Sequence, residues 1–317
     1  MTTLTTLTTL TTQPVIIEVA LSTRPDRNPN APTTLAEATR QGLDCMAAGA
    51  SLVHMHLPQL QVPAQEATAQ YLSCFEPWLA ADPDVLVLPT NGFGDTLEER
   101  FAHQFALAEA GALRMAFVDP GATIFGRPGP DGSPADDGYL YHFNYDAMSY
   151  AIDEAKRRAL GMHFAIFEPG WLRNVLAYWR ADRLPSGSFV KFYFGGPYGV
   201  LMRGKGITFG LPPTLTALAA YREILQLEGC ELPWFSAVVG GDLLDSPVAR
   251  ATLEQGGHLR VGLEDYASDR LPTNVELVRE AAALCAEVGR PVATPSEAGD
   301  LLGLLPRSAR VREESLT

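Results

Sequence analysis

The sequence predicts a single α/β domain, a (β/α)8 or TIM barrel, on three observations. Short apolar segments rich in β-branched and aromatic residues alternate with segments of helical periodicity over most of the 317 residues. Eight such pairs follow one another, which favours a closed barrel over an open doubly wound sheet. A GxGxxG motif follows none of the predicted strands, so a dinucleotide-binding sheet lacks its usual signature.

The predicted elements alternate strictly along the chain. The strands are residues 15–21, 51–57, 85–90, 112–118, 163–168, 189–195, 234–239 and 258–264. The helices are residues 34–48, 65–79, 97–110, 145–160, 171–181, 215–227, 247–255 and 274–288.

Helix signals and long loops support these boundaries. Thr34 and Glu37 have the spacing of a capping box, and Gly49, Gly256 and Gly289 follow helices where C-terminal glycines are favoured. Three longer loops, residues 119–142, 195–213 and 266–273, follow predicted strands. Barrels place their active sites at the C-terminal ends of the strands, so these loops are candidate lids.

Composition excludes several classes of protein. The hydrophobic content of 46% is sufficient for a sizeable core, and the net charge of −13 argues against binding to nucleic acid or to an anionic membrane. The four cysteines show no CxxC spacing, which favours reduced cytoplasmic thiols over a disulfide framework.

The two ends of the chain are predicted to lie outside the domain. Residues 1–13 are a low-complexity Thr/Leu repeat without the features of a signal peptide, and we expect a disordered tail there. The barrel is predicted over residues 14–305, with a C-terminal tail over residues 306–317. No apolar segment approaches the ~18 residues of a membrane span, so a soluble, cytoplasmic protein is expected.

Two histidines and a glutamate on non-adjacent strands predict a metal site. His54 and His56 alternate with Met55 and therefore point to the same side of the second strand. In a closed barrel the second and eighth strands lie on either side of the first, roughly 10 Å apart. Glu264 on the eighth strand could then share one ion with both imidazoles. A His2Glu set suits catalytic zinc and also non-haem iron.

Charged residues surround this predicted site. Arg260 has the same strand parity as Glu264, and Asp265 follows at the end of the strand. Arg260 could hold a neighbouring carboxylate ionised, grip a substrate carboxylate, or form a structural ion pair. Glu18, inside the first strand, could be a fourth ligand, a partner of a ligand, or the counter-ion of Arg114 or Lys191.

Other polar residues carry weaker signals. Thr90, Asn91 and Gly92 end the third strand and could bind an anionic or carbonyl oxygen, although a plain turn explains them nearly as well. Glu168 could be catalytic or could cap the following helix. The remaining histidines have no partner at a meaningful spacing and are interpreted as structural or solvent-facing; they are His103, His142, His163 and His258.

With these motifs, the chain resembles the beta-keto acid cleavage enzymes, a family of metal-dependent (β/α)8 proteins that act with coenzyme A. The resemblance covers most of the chain and is strongest in AGASLVHMH at 48–56 and GGHLRVGLED at 256–265. It continues through NVELV at 274–278 to GRPVATPSEA at 289–298.

The resemblance implies a reaction and roles for particular residues. His54, His56 and Glu264 would bind Zn2+ or another divalent metal, and Asp265, assisted by Arg260, would be the base. The enzyme would condense a 3-oxo acid with acetyl-CoA and release acetoacetate and a new acyl-CoA. The family also implies a homo-oligomer, a tetramer.

Departures from the family pattern affect the substrate loops. Pro89-Thr90-Asn91-Gly92 replaces a Ser-Thr-Gly-Gly-like turn, and Ser22-Thr23-Arg24 replaces Thr-Gly-Ala or Asn-Gly-Ala. Phe117-Val118-Asp119-Pro120 replaces a small polar segment. An altered substrate preference is therefore expected, with the tail of the 3-oxo acid recognised by Arg24 or Asp119. The candidate substrate-binding residues are Thr90, Asn91, Gly92, Glu18 and Arg24.

Two other functions remain open at this point. One is a CoA-independent, metal-dependent carbon–carbon lyase that resembles an aldolase. The other is a barrel that binds a metal and a carboxylate without turnover. Loss of substrate that depends on acetyl-CoA separates the first function from the lyase, and chelator-sensitive turnover separates both enzymes from the binding protein.

Overall fold

A computed structural model describes residues 12–22, 26–59 and 61–307. Residues 1–11 and 308–317, most of the two predicted tails, lie outside the described residues, as does Arg24. The strands are β1 (Ile17–Ala20), β2 (Leu52–His54), β3 (Leu86–Leu88), β4 (Met115–Val118), β5 (Ala122–Phe125), β6 (Tyr139–His142), β7 (Gly161–Ile166), β8 (Phe189–Gly195), β9 (Trp234–Val239) and β10 (His258–Val261). The helices are α1 (Leu35–Ala47), α2 (Ala64–Ala81), α3 (Leu97–Glu109), α4 (Tyr145–Arg157), α5 (Pro169–Arg180), α6 (Leu215–Leu227), α7 (Pro247–Glu254), α8 (Asn274–Glu287) and α9 (Pro295–Leu301).

Eight of these strands form one parallel sheet that curves into a nearly closed barrel. Their order is β3-β2-β1-β10-β9-β8-β7-β4, which confirms the predicted single-domain TIM barrel. The first strand lies between β2 and β10, because Glu18 is opposite Leu52 on one side and Arg260 on the other. The strands that carry the candidate ligands are therefore separated by one strand, as the sequence predicts.

The ring has a seam between β3 and β4, which are not paired in the described residues. A glutamine side chain from α3 takes the place of the missing strand pairing. The Gln104 Oε1 accepts from the Phe117 amide at 3.1 Å, and its Nε2 lies 3.5 Å from the Phe117 carbonyl. Because a side-chain amide offers the same donor and acceptor as a peptide, a fully buried Gln104 can satisfy the edge of β4.

The long loop predicted at residues 119–142 contains an antiparallel hairpin, which the sequence analysis missed. β5 and β6 pair from Ala122 opposite His142 to Phe125 opposite Tyr139. Both strands are rich in aromatic and β-branched residues, which favour extended backbone. Gly and Pro dominate the connection between them and obscured the signal.

The interior of the barrel is apolar at its N-terminal end and polar at its C-terminal end. Leu52, Leu86, Met115, Phe189 and Phe235 fill the apolar layer together with residues of α9, which covers that end. This packing leaves the charged side chains of β1, β8 and β10 to face one another toward the opposite end, where barrels hold their catalytic residues.

Two further features concern the ends and the helices. Arg307, assigned to the C-terminal tail in the sequence analysis, donates to the carbonyls of Val85 and Ala112 at 2.8 and 3.0 Å. Across the residues that the structure describes, none of the helices combines the length and apolar character that crossing a membrane requires.

We predict that His258 makes the stability of the fold depend on pH. Burial lowers the pKa of this side chain to about 3, and its Nδ1 accepts from the Ile16 amide at 3.1 Å. The unfolded chain binds a proton near pH 6.5, so protonation favours unfolding as the pH falls from about 6.5 toward 3. Relative to His258→Gln, which keeps an acceptor without titrating in this range, the unsubstituted protein should lose about 2 kcal/mol more between pH 7 and 5.

Urea unfolding of both proteins at the two pH values measures this difference. Equal losses of stability would mean that His258 titrates in the folded protein as it does in the unfolded chain.

Candidate active site

Three side chains with metal-ligating atoms meet at the C-terminal end of the barrel. His54 ends β2, His56 follows two residues later, and Glu264 lies in the turn after β10. The Nε2 of His54 is 3.1 Å from Glu264 Oε2, and the Nε2 of His56 is 3.4 Å from Glu264 Oε1. One potential ligand atom from each residue lies within 4.8 Å of the others.

Glu264 does not lie on the eighth barrel strand, as predicted, but in the turn that follows it. β10 ends at Val261, and Gly262 has a φ of +128°, where a Cβ would lie 2.2 Å from the Ala20 carbonyl oxygen. Only glycine avoids this collision with β1, and the chain turns there. Alternation along a continuous strand therefore does not orient Glu264; the turn does.

The hydrogen bonding of His54 prepares one nitrogen for a cation. Its Nδ1 lies 3.0 Å from the Leu88 carbonyl oxygen, which can only accept, so Nδ1 carries the hydrogen and Nε2 has a free lone pair. The facing Glu264 Oε2 is buried and has no hydrogen-bond partner in the described residues. Two lone pairs 3.1 Å apart repel unless a cation lies between them. The donor set therefore fits a divalent metal ion.

Arg260 joins three carboxylates beside these residues. Its Nε donates to Asp265 at 2.6 Å, its Nη1 to Glu18 at 2.7 Å and its Nη2 to Glu264 at 2.6 Å. A guanidinium presents donors in a fixed plane, so these contacts hold the carboxylates in one arrangement. Burial raises the pKa of Asp265 to about 6, against the opposing effect of Arg260.

The structure decides between the alternatives for Glu18. This carboxylate is fully buried beneath Arg260, and Lys191 on β8 donates to its Oε1 at 2.6 Å. Arg114, the other candidate counter-ion, instead donates to the carbonyls of Leu304 and Leu305. Burial opposes ionisation of Glu18, yet Lys191 and Arg260 together hold its pKa below the usual value. Glu18 therefore balances two cations below the site.

Two cavities meet at His56 and Glu264. The first, of about 310 Å³, is lined by His54, Asp119, Arg260 and Asp265 and by aromatic side chains of the hairpin and of β7 and β8. The second, of about 400 Å³, opens between α1 and the loop after β8. His56 and Glu264 line both, so one site can be approached by two molecules from different sides.

Comparison with known proteins assigns the chain to a family. The model of the beta-keto acid cleavage enzyme family matches residues 14–304. The chain belongs to this family. 

Relatives within it share about a quarter of their residues with this chain. The chain is 27% identical over 301 residues to the 3-oxoadipate:acetyl-CoA acetyltransferase of Cupriavidus necator, which covers 92% of this chain and 96% of that protein. It is 26% identical over 285 residues to the 3-keto-5-aminohexanoate cleavage enzyme of Acetoanaerobium sticklandii, with coverages of 88% and 93%.

A solved structure shares the fold. The complex of ObcA with oxaloacetate matches with a TM-score of 0.64 and 16% identity, over 87% of this chain and 68% of that one. Because the identity is low, this similarity supports the barrel architecture alone.

The predicted substrate-binding residues of the third-strand turn differ in which of their polar groups are available to a ligand. Thr90 and Asn91 line the first cavity. The Thr90 amide donates to the Tyr71 hydroxyl at 3.2 Å, and the Gly92 amide donates to the Arg100 carbonyl at 3.2 Å. These two amides are therefore occupied, and Asn91 offers its side chain instead. Arg24 lies outside the described residues.

Asp119, Asn91 and Tyr141 form a polar cluster in the first cavity. The Asn91 Nδ2 donates to Asp119 Oδ2 at 3.1 Å, and the Tyr141 hydroxyl donates to the same oxygen. Asp119 is a candidate from the sequence alone, whereas Tyr141 is not, because only the hairpin brings the two together. Tyr141 belongs to a short aromatic alternation on β6 that could have signalled a strand.

Two more residues have contacts that sequence reasoning did not provide. Glu168 caps no helix by its side chain; its Oε1 accepts from Thr123 of the hairpin and from the Gly210 amide, tying two loops together. His163, expected to be structural or solvent-facing, is buried in the wall of the first cavity, stacked 5.4 Å from Phe189. Neither of its ring nitrogens has a hydrogen-bond partner in the described residues.

We predict that Lys191→Met destabilises the protein by about 3 kcal/mol, because removing one partner of a buried ion pair strands the other charge. The remaining contact between Glu18 and Arg260 keeps the loss at the lower end of the range for such variants. Urea unfolding measures the change. The matched control is Lys156→Met on the exposed end of α4, with a change within about 0.5 kcal/mol. A loss below about 1 kcal/mol for Lys191→Met would show that Glu18 does not depend on Lys191.

Proposed function

We propose that this protein is a metal-dependent beta-keto acid cleavage enzyme that converts a 3-oxo acid and acetyl-CoA into acetoacetate and a new acyl-CoA. The observation that carries the proposal is the lone pair of His54 Nε2 facing the carboxylate of Glu264, with Asp265 held by Arg260 next to it. This arrangement combines a cation-binding set with a carboxylate base, which is what proton removal next to a carbonyl needs.

The proposed ligands of the metal are His54, His56 and Glu264, and the proposed ion is Zn2+ or another divalent metal. A bound ion would supply Lewis acidity toward the keto oxygen of the substrate. His54 is oriented for this role by its Nδ1–H bond to the Leu88 carbonyl. His56 and Glu264 are partly exposed to the cavities, which leaves room for a substrate oxygen.

Asp265 is the proposed base. It would take a proton from the carbon between the keto and carboxylate groups, and the carbanion would attack the acetyl carbonyl carbon of acetyl-CoA. The carbon–sulfur bond breaks and releases the CoA thiolate. Arg260 holds both carboxylate oxygens of Asp265, so the base remains oriented while its charge changes.

The released thiolate completes the reaction. It would attack the other keto carbon of the intermediate and break the bond to the carbon that carries the carboxylate. The electron pair of that bond returns to the acetoacetate fragment, which regains the proton from Asp265. Atoms balance without a protein nucleophile, and acetoacetate contains the acetyl group of acetyl-CoA.

The two cavities support a reaction of two substrates. We propose that the 3-oxo acid occupies the first cavity, with Thr90 and Asn91 beside it, and that acetyl-CoA approaches through the second. The names of the two relatives are consistent with such a reaction: one is a 3-oxoadipate:acetyl-CoA acetyltransferase, and the other is a 3-keto-5-aminohexanoate cleavage enzyme. A cytoplasmic homotetramer with an altered substrate preference is part of the proposal, and size-exclusion chromatography tests the assembly.

We predict that replacing a metal ligand and replacing the base have different effects on metal content and activity. His54→Ala should abolish stoichiometric metal binding and activity, because the remaining two ligands hold an ion weakly. Asp265→Asn should keep the metal and reduce kcat by about 100-fold or more, because the isosteric amide cannot take the proton. Metal analysis of purified protein and an acetoacetate assay measure the two effects.

The exposed imidazole of His142 provides the control, and His142→Ala should keep both metal and activity. Full activity of Asp265→Asn would remove it as the base, and full metal content of His54→Ala would remove the proposed site. Substrate loss without acetyl-CoA would favour an aldolase-like lyase, and metal binding without any turnover would favour a binding protein.

A further inference from the structure

We propose that Asp119, held by Asn91 and Tyr141, selects 3-oxo acids whose tail ends in an ammonium group and rejects acids whose tail ends in a carboxylate. This inference rests on the proposed function, because it concerns the acid that occupies the first cavity. It concerns the end of the acid remote from the reacting carbons.

In the polar cluster of Asp119, Asn91 and Tyr141, the acceptor oxygens outnumber the donors that reach them. Both donors that reach Asp119, the Tyr141 hydroxyl and the Asn91 amide, bind its Oδ2. Asn91 must turn its nitrogen toward this carboxylate, which leaves its buried Oδ1 without a hydrogen-bond partner in the described part of the chain. All three side chains line the first cavity. A ligand that donates several hydrogen bonds would satisfy these oxygens, and an ammonium group has three N–H donors.

The walls around this cluster are aromatic. The ring of Phe125 lies 5.3 Å from that of Tyr141 and 5.4 Å from that of Phe167, and Tyr193 lies 4.7 Å from Phe167. Aromatic faces carry negative quadrupole charge and attract cations, while they also accommodate the apolar carbons of a tail. They cannot solvate a second carboxylate.

The charges of the cavity also favour a cationic tail over an anionic one. Arg260 is the one Lys or Arg side chain among the described residues that line it, and each of its three nitrogens already donates to a protein carboxylate. A remote substrate carboxylate would therefore find no free cation. Burial raises the pKa of Asp119 to about 6, against the hydrogen bonds from Tyr141 and Asn91, so this group is mostly ionised at pH 7.5. It would repel an anionic tail and attract a cationic one.

The test compares three 3-oxo acids of equal chain length whose tails end in an ammonium, a methyl or a carboxylate group. Calorimetry measures the binding of each acid to the metal-loaded protein at pH 7.5 without requiring turnover. The ammonium acid should bind at least about tenfold more tightly than the methyl acid, and the carboxylate acid more weakly than both. Tighter or equal binding of the carboxylate acid would overturn the proposal, whatever any variant does.

Two substitutions in the polar cluster and one control identify the residue that selects the tail. Asp119→Asn keeps the shape and removes the charge, so the ammonium and methyl acids should bind within about threefold of each other. Asp136→Asn removes an exposed aspartate from the same loop and should leave the tenfold preference intact. An unchanged preference in Asp119→Asn would overturn the assignment to this residue. Tyr141→Phe, which removes one donor to Asp119, provides a second variant that retains the ring and should shift the preference less.

Failure of the tail proposal and failure of the proposed function give different results. Acetoacetate formed from any of the three acids with acetyl-CoA supports the reaction, whatever the ranking in binding. The expected ranking in binding, with no acetoacetate from the acid bound most tightly, would support the tail selection and reject the reaction.

Discussion

The candidate site depends on the hydrogen bonds that the Arg260 guanidinium donates to three carboxylates. The guanidinium donates to Glu18 below it, to Asp265 beside it and to Glu264 above β10, so one planar group fixes three carboxylates. Without it, these buried anions would repel one another, and burial would favour their protonated forms. Its rigid fork also explains why lysine, which offers a single point charge, would be a poor replacement.

The barrel makes this arrangement possible by closing its sheet around the first strand. Glu18 on β1 is opposite Arg260 on β10, and Lys191 reaches the same carboxylate from β8 across the barrel. A layer of charged side chains therefore lies above the apolar layer and is nearly balanced. A divalent ion would bring further positive charge next to Glu264 and Asp265, which suits a site that must stabilise a developing carbanion.

The sequence predicts the scaffold and part of the site because these depend on local pattern. Eight alternating units imply the ring, and the ring places His54 and His56 near Glu264 before any coordinates are known. Glu264 is not oriented by strand parity as predicted, since β10 ends before Gly262, where the chain approaches the β1 backbone. The role of Glu18 stayed open because its partner is 173 residues away, and only tertiary packing distinguishes Lys191 from Arg114.

Contacts between segments that only the tertiary fold brings together were harder to predict. Tyr141 meets Asp119 because the hairpin folds back over 22 residues of a segment dominated by Gly and Pro. Gln104 looks like an ordinary helix residue in the sequence, yet its amide completes the edge of β4. The unpartnered nitrogens of His163 depend on burial from several elements at once. Each case is a contact between segments whose separate patterns carry no sign of the other.

The central claim, that carbon–carbon bond formation with acetyl-CoA occurs at this site, can be tested by following the acetyl carbons. Metal-loaded protein would be incubated with an unlabelled 3-oxo acid and acetyl-CoA labelled with 13C in both acetyl carbons, and the products would be analysed by NMR. The account predicts both labelled carbons in the methyl ketone part of acetoacetate and none in the new acyl-CoA. Label that remains in acetyl-CoA while the acid is consumed would contradict it.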